Sequence, residues 1–509
     1  MPAVNSGLHS LAALLPGHAS GSLGALEVRG LCLDSRRCAP GDLFLAVPGT
    51  SHDGRRYMAQ AASSGCAAIA AEARGLSEFV GEHPDTALDI PVLGIDNLSA
   101  QLSAIAGRFY GDPSRELNLI GITGTNGKTT CAFLLAQLLD TLGRPSATIG
   151  TLGAGSALEA ASGRLSGTGM TTPDALQTQA LLANFVDRGI QAVTMEVSSH
   201  SLSQSRVAAL HFDTAILTNL SRDHLDYHET FEAYGAAKAR LFEFAGLKTA
   251  IINRDDPFGQ GLLARLSPDV NAIAFSTRGP TDVWVDEIRY EVQGLSARIH
   301  TPWGEGELSS CLLGEFNLAN LLAVVAAACA QGLSLAAVLA AVADLKPVPG
   351  RLEVVSTDQS LNVVIDYAHT PDALSQVLAA LRRHTQGRLW CVFGCGGDRD
   401  PGKRPEMGRI AEQLADCVII TSDNPRSEPP EHIVEAIRTG LLRPEQAQLE
   451  VDRRAAIRLA ITGAQPGDTV LIAGKGHEEF QQIGLDRLPF SDGNEARLAL
   501  NLRRQGGES

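Results

Sequence analysis

The chain has 509 residues, 44% of them apolar, with 57 acidic against 42 basic side chains and a formal net charge of −15. That length exceeds what one hydrophobic core supports, so two or three domains are expected. The acidic balance offers no basic face for a nucleic-acid partner, although a local basic patch can still hold a small anion.

The 9 cysteines (Cys32, Cys38, Cys66, Cys131, Cys311, Cys329, Cys391, Cys395, Cys417) are scattered without a C-x-x-C pair. Neither a zinc site nor a disulfide frame is expected, and a reducing compartment suits them. The N-terminus shows no basic segment followed by an apolar one, and the longest apolar run, 321–330, is too short to cross a bilayer. The expectation is a cytoplasmic protein with no membrane insertion and no nucleic-acid partner.

Residues 1–115 carry short strands alternating with alanine-rich helices. The run 41–49 reads as a turn, a buried strand and another turn. Polar clusters flank it, Asp34-Ser35-Arg36 before and Thr50-Ser51-His52-Asp53 after. Such loops can hold a polar ligand or can be ordinary solvated turns, and the residues alone leave both readings open.

Residues 116–345 read as a nucleotide-binding unit. The run 117–122 predicts a buried strand and 131–139 a helix packed on its apolar side. Between them lies Gly121-Ile122-Thr123-Gly124-Thr125-Asn126-Gly127-Lys128-Thr129-Thr130, so strand, glycine loop and helix come in phosphate-binding order. Glycines let the main chain turn tightly and aim successive N–H groups at an anion, and the helix N-terminus adds partial positive charge. Lys128 would reach the terminal phosphates, and the Thr129 hydroxyl would sit on magnesium. The general pattern wants glycine where Ile122 stands; the outer glycine is instead Gly121, so the loop is a variant.

Further strands at 191–197, 212–217 and 249–252, separated by helices, predict a mostly parallel sheet. The stretch 150–169, rich in glycine, serine and alanine, predicts a long mobile loop leading into Thr171-Thr172-Pro173-Asp174. Glu196 closes its strand, where ligands of such sheets gather. It can hold magnesium against phosphates at Lys128, or be a buried or strand-end charge. In the donor-rich run 219–228, His224 suits either a magnesium ligand or a brace for its loop. Lys238, four residues after Tyr234 on a helix, reads from its spacing as an exposed, solvated lysine. Asn317 and Asn320 border a very apolar helix and can cap it or bond a base. Prolines at 347 and 349 mark a linker.

From 346 to 509, buried strands at 362–367, 389–393, 417–421 and 469–473 each run into a polar or glycine-rich loop. This predicts a second open α/β sheet with its own ligand crevice. The tail from 505 is expected to be disordered.

Taken together and in order, TGTNGKTT (123–130), TTPD (171–174), EVSSH (196–200), NLxxDHLD (219–226), YxxxK (234–238), DYAHxP (366–371), DNPR (423–426) and GKGHE (474–478) resemble the ATP-dependent Mur ligases of peptidoglycan synthesis. Within that family the chain is most similar to the branch that adds meso-diaminopimelate. The resemblance covers essentially the whole chain. It implies an α/β protein of three domains: an N-terminal UDP-binding domain (1–115), a central P-loop domain with a mostly parallel sheet (116–345), and a C-terminal Rossmann-like open sheet (346–509).

The resemblance also implies roles. Gly124, Thr125, Asn126, Gly127, Lys128, Thr129 and Thr130 would surround the ATP phosphates, while Asn317, Asn320, Arg351 and Asp366 would contact base, ribose or phosphates. Thr129, Glu196, His224 and Lys238 would serve Mg2+, with Lys238 as its carbamate (N6-carboxylysine); this replaces the solvated reading of that lysine. Ser35, Thr50, Ser51 and His52 would hold the uridine diphosphate, and Thr171, Thr172, Ser198, Gln204 and Arg206 the muramoyl peptide. The loop at Thr50 departs from the histidine-glutamine-alanine sequence of some relatives. Arg399, Asp423, Asn424, Arg426, Gly474 and Glu478 would meet the added amino acid, and the Arg426 fork suits the extra carboxylate of diaminopimelate. The implied reaction phosphorylates the D-glutamyl γ-carboxylate of UDP-N-acetylmuramoyl-L-alanyl-D-glutamate and lets the diaminopimelate amine displace the phosphate. A monomer hinged near 347–350 is expected. Folylpolyglutamate synthase shares the phosphate loop, but the DNPR loop and the full N-terminal domain speak against it. A nucleotide-driven switch or nucleic-acid motor is disfavoured by the acidic balance.

Overall fold

A computed structural model describes residues 7–49, 52–82, 88–292, 294–355 and 361–506. The chain divides into two compact units, Met1–Ala274 and Phe275–Ser509.

The first unit opens with a four-stranded parallel sheet in the order Gly30–Cys32, Asp42–Ala46, Ala68–Glu72, Val92–Ile95. Asp42–Ala46 is the strand expected within 41–49, and its unbroken run Leu43-Phe44-Leu45-Ala46 is buried. That is how a parallel strand covered on both faces reads. In the helix Leu98–Tyr110, Leu98, Leu102, Ile105, Ala106 and Phe109 recur at helical spacing and join the same core as Leu43 and Leu45.

The second sheet of this unit is built on Asn118–Thr123. Ala192–Glu196 and Thr214–Leu217 pair with it in parallel, one on each side. Ser146–Gly150 extends the first flank and Thr249–Asn253 the second, again in parallel. The helix Lys128–Thr141 follows the glycine loop, and Thr130 through Leu139 are all buried. The sequence suggested burial on one side only; packing encloses the helix on every side.

The expected loop 150–169 is more ordered than its composition suggested. Gly153–Ser156 pairs antiparallel with Ser146–Gly150, and Ala154 bridges to Ser166. The helix Ala157–Ala161 is started by a capping box between Ser156 and Glu159. Neighbouring strands supply main-chain partners that small residues do not advertise in sequence.

In the second unit, Val283–Glu291, Gly294–Thr301 and Gly304–Ser310 form an antiparallel meander. The helices Glu315–Ala330 and Leu335–Val342 follow. The last sheet has six strands in the order Glu353–Val354, Asn362–Asp366, Thr469–Ala473, Leu389–Phe393, Cys417–Ile420, Gln448–Leu449. All its pairings are parallel except the first. Alternation along Leu389–Phe393 sends Leu389, Cys391 and Phe393 to one face, with the helices Pro371–Arg382, Lys403–Leu414 and Pro430–Arg438. Trp390 and Val392 face the helices Arg453–Gly463 and Asp492–Gly506. This is the second open sheet that the sequence predicted. The terminal helix includes Gln505, so the tail is ordered to Gly506, while 507–509 lie outside the described residues. Among the described residues no helix is long and apolar enough to cross a membrane.

Gly121 sits mid-strand because a Cβ there would stand 2.9 Å from the Phe212 ring and 3.0 Å from Leu241. Gly121→Ala should therefore destabilise the first unit by about 1–3 kcal/mol through overpacking, read by urea unfolding.

Candidate functional site

The glycine loop is shaped by two residues in conformations that suit glycine, Gly124 at φ +150° and Gly127 at φ +84°. A Cβ on Gly124 would collide with the Thr218 hydroxyl. The loop is clamped from the neighbouring strand end. Thr125 N–H donates to the Asn219 carbonyl and Asn126 N–H to Asn219 Oδ1, both at 2.9 Å. Asn219 Nδ2 returns a bond to the Asn126 carbonyl at 3.1 Å, and Thr218 Oγ1 reaches the same carbonyl at 2.6 Å. Lys128 folds back over the loop, its Nζ 2.9 Å from the carbonyls of both Gly124 and Thr125.

Lys238 is buried and its Nζ donates to the same Gly124 carbonyl at 2.8 Å. It lies 4.5 Å from the centre of the Tyr234 ring. Burial first, and the nearby Lys128 ammonium second, hold its pKa well below the ordinary lysine value. The exposed lysine that helical spacing suggested is thus wrong. Tyr234 reaches Thr125 Oγ1 at 3.2 Å, and burial pushes its pKa up to about 12.

Glu196 ends the strand beside Asn118–Thr123, level with Ile122, and is only 1% exposed. Thr151 N–H donates to Oε1 at 2.8 Å and the Thr151 hydroxyl to Oε2 at 3.3 Å. His224 is half-exposed in a left-handed conformation, φ 51°, with Nε2 3.5 Å from Asp223 Oδ2. Its ring meets His200 edge-on at 4.9 Å, and His200 lies 5.4 Å from His228. Burial, then neighbouring rings, lower the pKa of His200 and of His228. Sequence reasoning gave these two histidines no role, because nothing in their spacing brings them together.

The residues expected for the muramoyl peptide converge beside Glu196. Thr172 Oγ1 donates to the Glu196 carbonyl at 2.8 Å and accepts from Ser198 N–H at 3.0 Å. Arg206 Nη1 donates to the Thr172 carbonyl and its Nε to Gln204 Oε1, each at 2.9 Å. Thr171 accepts from Thr151 Oγ1 at 3.1 Å. On the first sheet, Ser35 is buried and bonded to Gln60 Oε1 at 2.8 Å, and His52 is exposed. Thr50 and Ser51 lie outside the described residues.

The cysteines are less scattered in space than in sequence: Cys32, Cys38 and Asp42 offer donor atoms within 4.8 Å of one another. Burial raises both thiol pKa values, and the Cys32 thiol is spent on the Asp34 carbonyl at 3.0 Å.

In the second unit, Asn317 Nδ2 donates to the Leu313 carbonyl at 2.8 Å and Asn320 Nδ2 to Asn317 Oδ1 at 3.1 Å. Asp366, buried, accepts from Leu352 N–H at 2.8 Å and Ala368 N–H at 2.7 Å. Burial raises its pKa, and Arg351 opposes that rise. The Arg351 guanidinium lies over the Tyr367 ring at 4.9 Å. His384, unnoticed in sequence, accepts from Gly314 N–H at 2.9 Å through Nε2. Its Nδ1 must therefore carry the proton that it donates to the Glu291 carbonyl at 2.6 Å.

The loops expected to meet an amino acid are joined to one another by side-chain hydrogen bonds. Asn424 Nδ2 donates to Glu478 Oε2 at 2.8 Å, and the enclosed Lys475 ammonium donates to Asn424 Oδ1 at 2.9 Å and Glu478 Oε2 at 3.0 Å. Arg426, at φ 49°, donates one Nη1 bond to the Gly397 carbonyl at 2.7 Å. Gly474 packs against Asp423: a Cβ there would stand 2.5 Å from Asp423 Oδ2. Arg399 is exposed on the adjoining loop. Sequence reading missed Lys475, Arg453 and Asp492, whose burial no local pattern signals.

Family models match along the chain: "Mur ligase family, catalytic domain" over residues 27–110, "Mur ligase middle domain" over 122–328, and "Mur ligase, glutamate ligase domain" over 350–476. The chain belongs to the Mur ligase family. Among curated members, the UDP-N-acetylmuramoyl-L-alanyl-D-glutamate--2,6-diaminopimelate ligase of Ectopseudomonas mendocina is 51% identical over 488 residues, 96% of this chain and 97% of that one. The protein of the same name from Pseudomonas aeruginosa is 51% identical over 478 residues, 93% of this chain and 95% of that one. A solved structure bearing that name superposes with a TM-score of 0.73 at 34% identity, covering 98% of this chain and 100% of the other. Folylpolyglutamate synthase of Mycobacterium tuberculosis shares the fold at a TM-score of 0.59 and 20% identity over 79% of this Mur ligase chain and 95% of its own.

The clamp on the glycine loop can be tested apart from turnover. In Asn219→Ala, the Asn126 amide loses its acceptor whereas the Thr125 amide keeps the main-chain carbonyl. Hydrogen exchange should rise about tenfold or more at Asn126, with a smaller change at Thr125.

Proposed function

We propose that this chain is an ATP-dependent amide ligase that joins meso-diaminopimelate to the D-glutamyl γ-carboxylate of UDP-N-acetylmuramoyl-L-alanyl-D-glutamate, making a peptidoglycan precursor. The observation that carries the reading is the crevice of mixed charge at Asp423, Asn424, Arg426, Lys475 and Glu478, in a chain half identical to ligases named for diaminopimelate. A zwitterion with two carboxylates and two ammonium groups needs both signs in one place. Arg426 spends one bond on Gly397, and its other donors would grip the distal carboxylate. The division at 1–115, 116–345 and 346–509 and an action as a monomer belong to the same proposal.

A carboxylate is a poor acyl donor because oxide is a poor leaving group. A γ-carboxylate oxygen would attack the terminal phosphorus of ATP, the bond to the bridging oxygen would break, and ADP would leave. The diaminopimelate amine would then attack the acyl carbon, lose a proton and expel phosphate, leaving an amide. Lys128, held inside the loop, would neutralise charge gathering on the transferred phosphoryl group. Thr172, Ser198, Gln204 and Arg206 would hold the acceptor peptide beside Glu196.

Hard oxygen donors suit magnesium, and the buried Glu196 carboxylate and the hydroxyl of Thr129, in the first turn of the helix Lys128–Thr141, would supply them. His224 would complete the set, together with Lys238 once it is a carbamate. Bound magnesium would supply positive charge against the phosphate oxygens. Burial favours the uncharged Lys238 amine, which is the form that adds carbon dioxide; one proton leaves and an anionic oxygen ligand results.

Incubating UDP-muramoyl dipeptide and ATP with diaminopimelate should give a product heavier by one diaminopimelate residue and one ADP per amide, by mass spectrometry and nucleotide assay. Amide without ADP, or ADP formed equally without an amino acid, defeats the reading. Arg426→Ala should raise the KM for diaminopimelate about tenfold or more and narrow its preference over lysine. Lys238→Ala should lower kcat by about a hundredfold while nucleotide still binds, and the wild-type enzyme, measured by native mass spectrometry, should carry one added carbon dioxide that Lys238→Ala lacks.

A further inference from the structure

Arg453 and Asp492 are the first residues of the neighbouring helices Arg453–Gly463 and Asp492–Gly506, and both side chains are fully enclosed. Arg453 Nε and Nη2 donate to the two Asp492 oxygens at 2.7 Å each. The remaining bonds go to main chain: Nη1 to the Ser422 carbonyl at 3.2 Å and Nη2 to the Ala473 carbonyl at 3.0 Å. Ser422 lies just beyond the strand Cys417–Ile420, and Ala473 ends the strand Thr469–Ala473. These two strands do not pair with each other; Leu389–Phe393 runs between them. One guanidinium therefore spans the central strand and ties together the roots of the loops 423–426 and 474–478.

Stability alone gives little reason for such a pair. Enclosing two charges costs solvation that their attraction barely returns, and apolar residues of the same size often serve the fold as well or better. Geometry is what a rigid planar fork adds: it fixes four bonds at set angles, which a lysine with three donors on a flexible stem cannot do. Gly474, at φ +119°, packs so tightly on Asp423 that a Cβ would stand 2.5 Å from Asp423 Oδ2, so a shift of one loop root is passed to the other, and Arg453 Nη2 lies in ordinary contact range at 3.9 Å. We propose that Arg453 and Asp492 are a positioning pair, setting the separation of the two loops that hold the incoming amino acid without touching it. The inference rests on the amino-acid reading of that crevice.

The test compares wild type, Arg453→Lys, and the double variant Arg453→Met with Asp492→Leu in the full chain. For the double variant, thermal unfolding should stay near wild type, the KM for diaminopimelate should rise about tenfold, and the KM values for ATP and UDP-muramoyl dipeptide should change less than about twofold. Arg453→Lys should recover part of the loss. A double variant that keeps wild-type KM for diaminopimelate, or raises all three KM values alike, overturns the proposal. If the double variant does not fold, Arg453→Lys carries the decision by the same split, and its absence overturns the proposal. If wild type ignores diaminopimelate but uses another amino acid, the substrate reading fails, and the same split measured with that amino acid still decides the positioning role.

Discussion

Two lysine Nζ atoms end on one carbonyl oxygen: Lys128 and Lys238 both donate to Gly124, at 2.9 and 2.8 Å. Burial first, and the neighbouring Lys128 ammonium second, favour the uncharged form of the enclosed Lys238 and hold its pKa well below the ordinary lysine value. The constraint reaches outward from there. Gly124 must lack a side chain for its carbonyl to face both lysines, because the Thr218 hydroxyl fills the space a Cβ would need. Thr218 and Asn219 in turn clamp the loop, which places the donor-rich run 219–228 against it. Glu196 ends the strand on the other side, level with Ile122, its carboxylate bonded to Thr151.

The second unit solves a different problem with similar means. Around its crevice two enclosed cations are each neutralised by a neighbouring carboxylate rather than by water. Lys475 is enclosed yet bonded to Asn424 and Glu478, and Arg453 is enclosed yet bonded to Asp492. These two buried cations survive because each is bonded to a carboxylate. His384, fixed in one tautomer between Gly314 and Glu291, performs the neutral version of the same task under the helix Glu315–Ala330.

Features set by local pattern were legible in the sequence. Strand, glycine loop and helix at 118–141 are local, and so are the apolar runs that became Asn362–Asp366, Leu389–Phe393, Cys417–Ile420 and Thr469–Ala473. What needed partners far away in the chain was not legible. The antiparallel strands Val283–Glu291 to Gly304–Ser310 carry charged and polar residues on one face and a register shift between Asp286 and Arg289, so their alternation is blurred. Gly153–Ser156 gains its order from Ser146–Gly150 and Ser166. Lys238, Arg453 and Asp492 look like solvated charges in any short window, and only packing shows that they are enclosed. Family likeness corrected the first of these and was silent on the other two.

The helix Lys128–Thr141 is walled in from Thr130 to Leu139. A rod so enclosed cannot tilt or slide without opening voids in close-packed surroundings. Any rearrangement accompanying a passing anion at its tip therefore falls to side chains and to half-exposed segments such as the one bearing His224, while the cradle itself stays put like an anvil.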